Sequence, residues 1–387
     1  MRHIIVRDFG PLTNADVYLE KINFVVGPQS SGKSCLLKIA SFCAWLEKRI
    51  QRSQDYKQFE ANGAFETKLT GFHKLEGYIN AKSFVSYEND TMKFSYEFSS
   101  KKFDFEWKKK RWNYRGVKVS YIPAERNMVS VIPNWFEITL KGDNIQSFMS
   151  DWQDSRISLK KDLPILNLGV RYRYDKVTQR DYIVLGEGRE LPLTNTSSGL
   201  QSLVPLYVHL NHLYKSRFTS SGELSWGKGQ ENKRIMQLLY NNMYGSKNID
   251  ITNAVVVDDV PFLFADKKQA SDFVKKYSTF VENKYNDVFL EEPEENLFPP
   301  TQSVLINTLI DYAKGVHGNC LFVATHSPYV LTSVLERKDL KSLALFMTKS
   351  EGNGRYSIVT ANDEDINDIY KYGLDVFYNI ETLTDDK

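Results

Sequence analysis

The chain has 387 residues, of which 42% are hydrophobic and 25% are charged, a balance typical of globular proteins with a sizeable core. Its 50 Lys and Arg residues nearly balance its 48 Asp and Glu residues, so the overall charge gives no argument for nucleic-acid binding. No apolar run reaches the roughly 18 residues that a membrane span requires, and the three cysteines follow neither a metal-binding nor a disulfide pattern. We therefore expect a cytoplasmic protein.

The first predicted elements are strands, a Gly-rich loop and a helix. Apolar runs at residues 3–6 and 22–26 predict strands, with a third short strand at 17–19 between them. Apolar residues then recur at helical spacing over residues 36–50. The loop between the strand at 22–26 and this helix is therefore in the context that a phosphate-binding loop requires.

Residues 84–107 alternate apolar with polar side chains, which is typical of an antiparallel meander with one solvated face. Later segments alternate between strands and helices. Strands are predicted at 117–122, 170–174, 182–185, 288–290 and 320–324, helices at 145–160, 198–214, 267–283 and 302–313, and a mobile loop at 216–231. This order predicts an α/β fold that carries an antiparallel β subdomain.

The Gly-rich loop matches the pattern G-x-x-x-x-G-K-[ST] of phosphate-binding loops. Its residues are Gly27, Pro28, Gln29, Ser30, Ser31, Gly32, Lys33 and Ser34, and Cys35 follows them in the helix. The glycines let backbone N–H groups face a phosphate, and the positive end of the helix adds to the attraction. Lys33 would reach the β- and γ-phosphates of ATP, and the Ser34 hydroxyl would bind Mg²⁺. A chance Gly-rich turn is the alternative interpretation.

Three further segments carry residues suited to ATP hydrolysis. Glu291 and Glu292 end a short apolar strand, where Glu291 would orient Mg²⁺ and Glu292 would act as general base. His326 follows the last buried strand, at the end of a sheet where α/β proteins bind ligands. Ser197–Gly199 opens a helix, whose start can bind an anion. Each segment also has a plain structural interpretation: an acidic turn, a hydrogen-bonding histidine and an ordinary helix cap.

In this order, the segments resemble the ABC-type ATPases, and among them the OLD (overcoming lysogenisation defect) family and its relatives that have only the ATPase. The blocks that carry the resemblance are "RDFGPL", "YIPAER", "TNTSSGLQSL", "LEEPEENLFPPTQ" and "THSPYVLT". Each block alone is unspecific, whereas the combination of "EEPE", "LFP" and "THSPY" is specific. The resemblance implies a P-loop NTPase of the ABC ATPase type, with an antiparallel β subdomain and a helical lobe.

The resemblance also implies roles for individual residues. Ser198, Gly199 and Gln201 stand at the ABC signature, together with Ser197, and would contact the γ-phosphate bound to the opposite protomer. His326 would be the switch histidine. Glu292 and Lys33 would complete the catalytic set.

The resemblance also touches two further positions, and three positions depart from the usual ABC pattern. Asn296 would lie in the loop that crosses the dimer interface, and Arg126 lies near the position of the ABC lid glutamine, where no clear glutamine is present. Gln29 replaces the usual Asn, Glu291 replaces Asp, and Leu200 replaces the second glycine of the signature.

One composite ATPase domain is expected. Residues 1–60 would form the N-terminal lobe with the Walker A loop, 61–195 the β-rich subdomain, 196–285 the signature helix with a helical insertion, and 286–387 the Walker B strand, the switch histidine and the tail. About 60 residues follow His326, and their acids lack the layout of the Toprim nuclease found in full OLD proteins. We therefore expect no nuclease in this chain.

The expected activity is ATP hydrolysis by a homodimer, or a higher even oligomer, in which two copies enclose two Mg-ATP molecules. ATPases of this branch without a nuclease domain resemble components of anti-phage systems (Septu-like, PARIS-like or retron-associated), which implies a separate effector such as a nuclease as partner. A membrane partner is not expected.

Two alternatives remain open. The first is a nucleotide-dependent scaffold or sensor with little turnover. The second is a DNA-engaging ATPase like the SMC and recombination proteins, for which the local signal is the basic, aromatic-rich stretch 101–112. A hairpin whose lysines protect its edge is the favoured interpretation of that stretch, so nucleic acid is a possible but not a favoured partner.

Overall fold

A mixed β-sheet organises the chain in the computed structural model, which describes residues 1–61, 63–140, 142–216, 226–245, 253–257, 260–315, 317–337 and 339–372. The strands are β1 (Arg2–Phe9), β2 (Leu12–Leu19), β3 (Ile22–Val26), β4 (Phe84–Glu88), β5 (Met92–Glu97), β6 (Lys102–Trp107), β7 (Val117–Ile122), β8 (Leu163–Pro164), β9 (Arg171–Asp175), β10 (Arg180–Val184), β11 (Glu190–Pro192), β12 (Asn253–Val257), β13 (Val260–Phe264), β14 (Tyr285–Glu291), β15 (Cys320–Thr325), β16 (Leu343–Ser350) and β17 (Tyr356–Thr360).

Helices connect and cover these strands. They are α1 (Lys33–Ser53), α2 (Ala64–His73), α3 (Met128–Val131), α4 (Asn144–Ser158), α5 (Ser198–Asn211), α6 (Trp226–Tyr244), α7 (Lys267–Val281), α8 (Pro299–Lys314), α9 (Pro328–Leu335) and α10 (Asp363–Tyr372). Several begin at side-chain caps, such as Asp143 before α4, Asp266 before α7 and Ser327 before α9, because these side chains bond the first free N–H groups of a helix. In the described part of the chain, no helix combines the length and the apolar character needed to span a bilayer.

The largest sheet has the order β6-β5-β4-β1-β2-β17-β16-β3-β15-β14-β7. The neighbours from β16 to β7 pair in parallel, whereas β1, β2, β4, β5 and β6 pair with one another antiparallel. All five residues of β3 are buried, as expected for a central parallel strand covered on both faces. The parallel core therefore continues directly into an antiparallel subdomain.

Two hydrophobic cores lie on opposite faces of this sheet. Helix α1 packs with the antiparallel strands in one core, and helices α4, α5, α8 and α9 contribute to the other. Strands β8 to β11 form a small sheet beside α4 and α5, and the β12–β13 hairpin joins α6 and α7 in a third cluster. The predicted α/β fold with an antiparallel β subdomain is confirmed, and helices pack against both faces of the sheet.

One predicted segment needs correction. The mobile loop predicted at 216–231 ends too late, because α6 begins at Trp226; residues 217–225 lie outside the described part of the chain. The glycines and polar residues at the start of α6 hide its helical character in the sequence. Its buried side chains come later, where Ile235, Met236 and Leu239 pack with Phe273 of α7, so tertiary packing overrides local propensity.

Candidate nucleotide-binding site

The candidate site lies at the carboxyl ends of the parallel strands. Strand β3 leads into the phosphate loop, β14 ends at Glu291, and β15 ends one residue before His326. Because β3, β15 and β14 are parallel neighbours, these three ends meet at one edge of the sheet. Ligands of open α/β sheets bind at such an edge.

The phosphate loop adopts a conformation that its glycines make possible. Gly27 has φ 155° and Gly32 has φ 93°, values that residues with a Cβ rarely adopt. A Cβ on Gly27 would lie 1.9 Å from Thr348 Oγ1, and one on Gly32 would lie 2.3 Å from Leu12 Cδ2. Gly32 caps the 21-residue helix α1, whose positive end therefore faces the loop.

Lys33 is folded back onto this loop. Its Nζ donates a hydrogen bond of 2.6 Å to the carbonyl oxygen of Pro28, which also accepts 2.7 Å from Ser31 Oγ. Burial lowers the pKa of the Lys33 ammonium, while the carboxylates of Glu292 and Glu294 act in the opposite direction. The cation thus lies between the phosphate loop and the acidic loop, which consists of residues 292–295 after β14.

Other residues of the predicted loop divide between solvent and core. Pro28, Gln29 and Ser30 are exposed. Cys35 is buried, its Sγ lies 3.8 Å from the carbonyl oxygen of Phe9, and burial raises its thiol pKa to about 12. The Cys35 side chain is therefore part of the core.

Glu291 and Ser34 fit the requirements of a magnesium ion held through ATP. The Glu291 side chain is buried beside the side chains of Ser34 and Tyr121, and burial raises its pKa. Its Oε2 accepts a 3.4 Å hydrogen bond from the Ala124 N–H, whereas its buried Oε1 has no partner. An unpartnered carboxylate oxygen next to a hydroxyl suits Mg²⁺, which takes few protein ligands besides phosphates. Among the described residues, no group of three or more acidic, His or Cys side chains forms a separate metal site.

Glu292 and His326 also meet at this edge. Glu292 has φ 43°, and its N–H donates 2.9 Å to the carbonyl oxygen of Ala324. The Nδ1 of His326 lies 3.7 Å from Glu292 Oε1 and 3.5 Å from Glu294 Oε1. The structure therefore places the predicted general base and the predicted switch histidine side by side.

Glu294 is a site residue that the sequence analysis did not single out. Its Oε1 accepts hydrogen bonds from Thr325 Oγ1 (2.7 Å) and from the His326 N–H (2.9 Å). Glu294 thereby ties the acidic loop after β14 to the end of β15. The repeated acids in "EEPEE" were the available signal, but the sequence does not show which of them turns inward.

Arg126 bonds the backbone of the acidic loop. Its side chain is fully buried, and it donates 2.9 Å to the Glu291 carbonyl and 2.7 Å to the Glu292 carbonyl. One guanidinium nitrogen also lies 3.5 Å from a carboxylate oxygen of Glu295. Burial lowers the pKa of Arg126, although the surrounding carboxylates oppose this. Arg126 therefore binds the backbone of the candidate catalytic residues.

The predicted signature forms a second cluster with Asn296. Ser197 caps α5, and both Ser197 and Ser198 are exposed. The Asn296 Nδ2 donates 2.9 Å to Ser202 Oγ, and a Cβ on Gly199 would lie 3.0 Å from the Asn296 carbonyl oxygen. The Gln201 side chain instead bonds the segment before α5, where its Nε2 donates 2.9 Å to the Thr194 carbonyl.

The basic stretch 101–112 is extensively paired with acids and aromatic rings. Lys102 pairs with Asp104, Lys108 with Glu88 and Lys110 with Asp90. The Arg111 guanidinium stacks over Trp107 and Trp112 and bonds Gln54. This pattern agrees with a surface hairpin and leaves less free positive charge for a nucleic-acid backbone.

No protein-family model matches the sequence, and no curated protein does. Several solved structures align with most of the chain at low sequence identity. An SMC head bound to the C-terminal winged-helix domain of ScpA has 8% identity and a TM-score of 0.44 over 95% of this chain and 99% of that chain. CbiO1 from Clostridium perfringens, part of an ABC transporter complex, has 12% identity and a TM-score of 0.30 over 98% and 97%. The recombination mediator protein RecF has 10% identity and a TM-score of 0.29 over 92% and 97%. No residue role follows from similarities of this size.

Proposed function

We propose that the protein is a cytoplasmic Mg²⁺-dependent ATPase of the ABC type. The observation that carries the proposal is the meeting of the phosphate loop, Glu291, Glu292 and His326 at one edge of the parallel core. Phosphoryl transfer to water needs a phosphate cradle, a metal ligand and a residue that orients the water. Residues suited to all three tasks lie at this one edge.

Each group in the site has a distinct chemical part. The backbone of Gly27–Ser34 and the Lys33 ammonium would hold the phosphates, and Ser34 with Glu291 would hold Mg²⁺, which neutralises charge on the phosphate oxygens. Glu292 would orient the attacking water and accept its proton. His326, 3.7 Å from Glu292, would contact the γ-phosphate and keep the Glu292 carboxylate in place.

The arrangement also supports a dimer as the working unit. Ser197 and Ser198 are exposed, at the positive end of the 14-residue helix α5, where an anion is stabilised. A second copy could therefore present its phosphate-bound nucleotide to these serines. We propose an ATP-enclosing homodimer, or a higher even oligomer, whose opening and closing controls a separate effector such as a nuclease.

The finer assignment rests on the sequence blocks alone. The "EEPE", "LFP" and "THSPY" blocks support membership of the OLD-like branch and, by analogy, a role in anti-phage defence. Identification of a nuclease or toxin that copurifies with the ATP-bound protein would test this step. An effector-free protein that shows full biological activity would contradict it.

One substitution tests the central proposal. In Glu292→Gln the general base is lost while the phosphate loop is intact, so we expect Mg-ATP binding to persist and hydrolysis to fall by about 10²-fold or more. The trapped ATP should make the dimer accumulate, which light scattering measures. Lys33→Ala is the matched control, since it should lose nucleotide binding and ATP-dependent dimerisation together. Unchanged hydrolysis in Glu292→Gln would refute the assignment.

A nucleotide-dependent scaffold or sensor is the second candidate. It is favoured by Glu291 and Leu200, which both depart from the usual ABC pattern. Measuring multiple-turnover hydrolysis beside ATP-dependent dimerisation separates the two. Dimerisation with less than one turnover per dimer lifetime would identify a scaffold.

A further inference from the structure

A cavity of about 440 Å³ lies behind the candidate site. It is bordered by α1, α2, β7 and the beginning of α4, and its wall includes Phe42, Trp45, Gly71, His73 and Tyr121. Small-molecule sites typically measure about 300–1,000 Å³ and are mainly apolar with a few polar groups. The size and lining of this cavity fall within that description.

His73 is the unusual polar group in this wall. The side chain is fully buried, and neither ring nitrogen has a hydrogen-bond partner. Burial, together with the smaller effect of the nearby Lys38, lowers its pKa to about 3. A neutral imidazole offers one donor and one acceptor. Leaving both unpaired costs free energy, which a polar ligand in the cavity would recover.

Aromatic side chains form much of the cavity wall. Trp45 stacks on Phe42 with ring centroids 5.5 Å apart, and 37% of Trp45 is exposed. Phe72 and Tyr121 contact the His73 ring at 4.8 Å each. Flat faces and ring edges of this kind pack best against another aromatic ring.

The charge of the wall selects among aromatic ligands. Lys68 lines the cavity and is exposed at its rim. Among the described residues that line the cavity, no Asp or Glu is present. A ligand that carries a negative charge would therefore meet an opposite charge at the rim and no like charge inside.

We propose that this cavity binds a small, flat aromatic molecule that bears an acidic group. The ring packs against Trp45 and the neighbouring aromatic side chains, and the acidic group faces Lys68. Polar atoms of the ring reach the His73 imidazole after a small adjustment of the wall, since both imidazole nitrogens are covered in the free protein.

Occupation of the cavity would influence the nucleotide site through Tyr121. The Tyr121 ring contacts His73 on one side, and its side chain lies beside the Glu291 carboxylate on the other. Helix α1 also belongs to both places, because it begins in the phosphate loop and lines the cavity with Ser41, Phe42 and Trp45. This regulatory consequence rests on the proposed function, whereas ligand binding itself does not.

Gly71 provides a way to fill the cavity without disturbing the fold. A Cβ on Gly71 would meet no atom within 4 Å, and the residue lies inside helix α2, where replacing Gly favours the helix. Gly71→Leu should therefore fold and occupy the ligand space. Gly71→Ala is its matched control, because it gives the same helical advantage and leaves most of the space open.

Isothermal titration calorimetry of the nucleotide-free protein with three related probes tests the binding site. We expect 2-naphthoate to bind more tightly than neutral 2-naphthol, and 2-naphthol more tightly than the cation 2-naphthylmethylammonium. Gly71→Leu should weaken 2-naphthoate binding by at least about tenfold and Gly71→Ala by less than about threefold. Lys68→Gln should weaken 2-naphthoate by about threefold, as an exposed ion pair would, and leave 2-naphthol unchanged.

Three results would overturn the proposal: no saturable binding of any probe, equal affinity for the three probes, or 2-naphthoate binding that Gly71→Leu leaves unchanged. ATP hydrolysis is a separate readout. Saturating 2-naphthoate should change the hydrolysis rate of the wild type and not that of Gly71→Leu. If the protein proves not to hydrolyse ATP, the calorimetric result stands by itself, so failure of the proposed function is distinguishable from failure of the cavity proposal.

Discussion

The buried guanidinium of Arg126 binds the backbone of the candidate catalytic residues Glu291 and Glu292. Arg126 donates to the carbonyl oxygens of both Glu291 and Glu292, and Glu292 is in a left-handed conformation with φ 43°. A non-glycine residue in that conformation stores strain, which persists only when its surroundings hold it. The position of the Glu292 carboxylate therefore depends on Arg126.

Removing this side chain should reduce both stability and turnover. In Arg126→Met the two carbonyl oxygens lose their buried donor, and we expect the free energy of unfolding to fall by about 3 kcal/mol. Because the Arg126 side chain is fully buried and bonds the backbone of the acids, kcat should fall while KM for ATP changes little. Urea unfolding and steady-state kinetics measure the two effects.

Arg126→Lys is the control for charge. A lysine keeps the positive charge but lacks the planar fork that bonds two carbonyls at once, so we expect it to behave nearly as poorly as Arg126→Met. Full activity in the lysine variant would show that charge alone matters, and the positioning role would then be wrong.

His73 gives a pH dependence that can be assigned to one residue. Burial lowers its pKa to about 3 in the folded protein, whereas an unfolded histidine titrates near 6.5. Above pH 6.5 both states are neutral and the full stability is present. As the pH falls from 6.5 toward 3, His73 binds a proton in the unfolded state but not in the folded state, so stability is lost.

His73→Phe should therefore flatten part of the acid side of the stability curve. At pH 5 the proton uptake costs the wild type about 2 kcal/mol relative to pH 7, and the variant has no such loss. Urea unfolding of both proteins at pH 5 and pH 7 measures the difference. If the free energy of unfolding changed equally between pH 5 and pH 7 in both proteins, His73 would have to be protonated, or paired, in the folded state.

Single residues can be predicted from the sequence where their type and spacing form a pattern, as in the phosphate loop and the pair Glu291–Glu292. The contacts of Arg126 cannot be predicted in this way, because they join residues more than 160 positions apart. The contacts of Glu294 cannot either, because the sequence does not show which acid of "EEPEE" turns inward. The pairing of such residues is set by the sheet topology.

The phosphate loop is shaped by a strand that lies far along the chain. Strand β16 pairs with β3 and places Thr348 against Gly27, where an added Cβ would lie 1.9 Å from Thr348 Oγ1 and 3.0 Å from Thr348 Cβ. Gly27 also has φ 155°. Two independent constraints, one steric and one conformational, therefore require glycine at this position.

Substitutions at the two residues should be coupled. Gly27→Ala should lower the free energy of unfolding by about 1–3 kcal/mol and weaken ATP binding by at least about tenfold. Thr348→Ala removes the overlapping oxygen, which has no hydrogen-bond partner, and should cost little alone. The double variant should regain part of the stability but not all, because the unusual φ remains. Simple additivity of the two effects would contradict this contact.

Elements with clear periodicity were predicted, and those stabilised by distant contacts were not. The strands at 22–26, 117–122 and 320–324 and the helix at 267–283 agree with β3, β7, β15 and α7. No structure was assigned to β16 or β17, because a short apolar run such as that in β16 is equally compatible with a helix. Its role as a parallel neighbour of β3 becomes evident only once the sheet is assembled.

The residues of the proposed nucleotide site form two clusters in the molecule. The phosphate loop, Glu292 and His326 form one cluster, while the exposed Ser197 and Ser198 stand at the beginning of α5 beside Asn296. A homodimer with two-fold symmetry would bring each half against the complementary half of the other copy. Under the proposed function, neither copy alone has a complete site.

Mixing two inactive variants tests this arrangement directly. Lys33→Ala disables the phosphate loop, and Ser198→Glu places a negative charge where the γ-phosphate of the other copy would lie, so each variant alone should be inactive. In a mixed dimer, one site combines both defects, and the other combines the intact loop of one copy with the intact α5 of the other. Because ATP joins two copies only through an intact site, the mixed dimer is the dimer that forms. With one good site of two, it should return up to about half of wild-type hydrolysis.

The control mixture places both defects on the same half of the site. Glu292→Gln and Lys33→Ala both damage the cluster that binds the nucleotide, so each site of their mixed dimer contains one damaged cluster and no activity should return. Recovery with Ser198→Glu but not with Glu292→Gln can arise only if α5 serves the nucleotide of the opposite copy. If α5 served its own chain's nucleotide, every copy in the first mixture would keep a damaged site, and hydrolysis would stay absent in both.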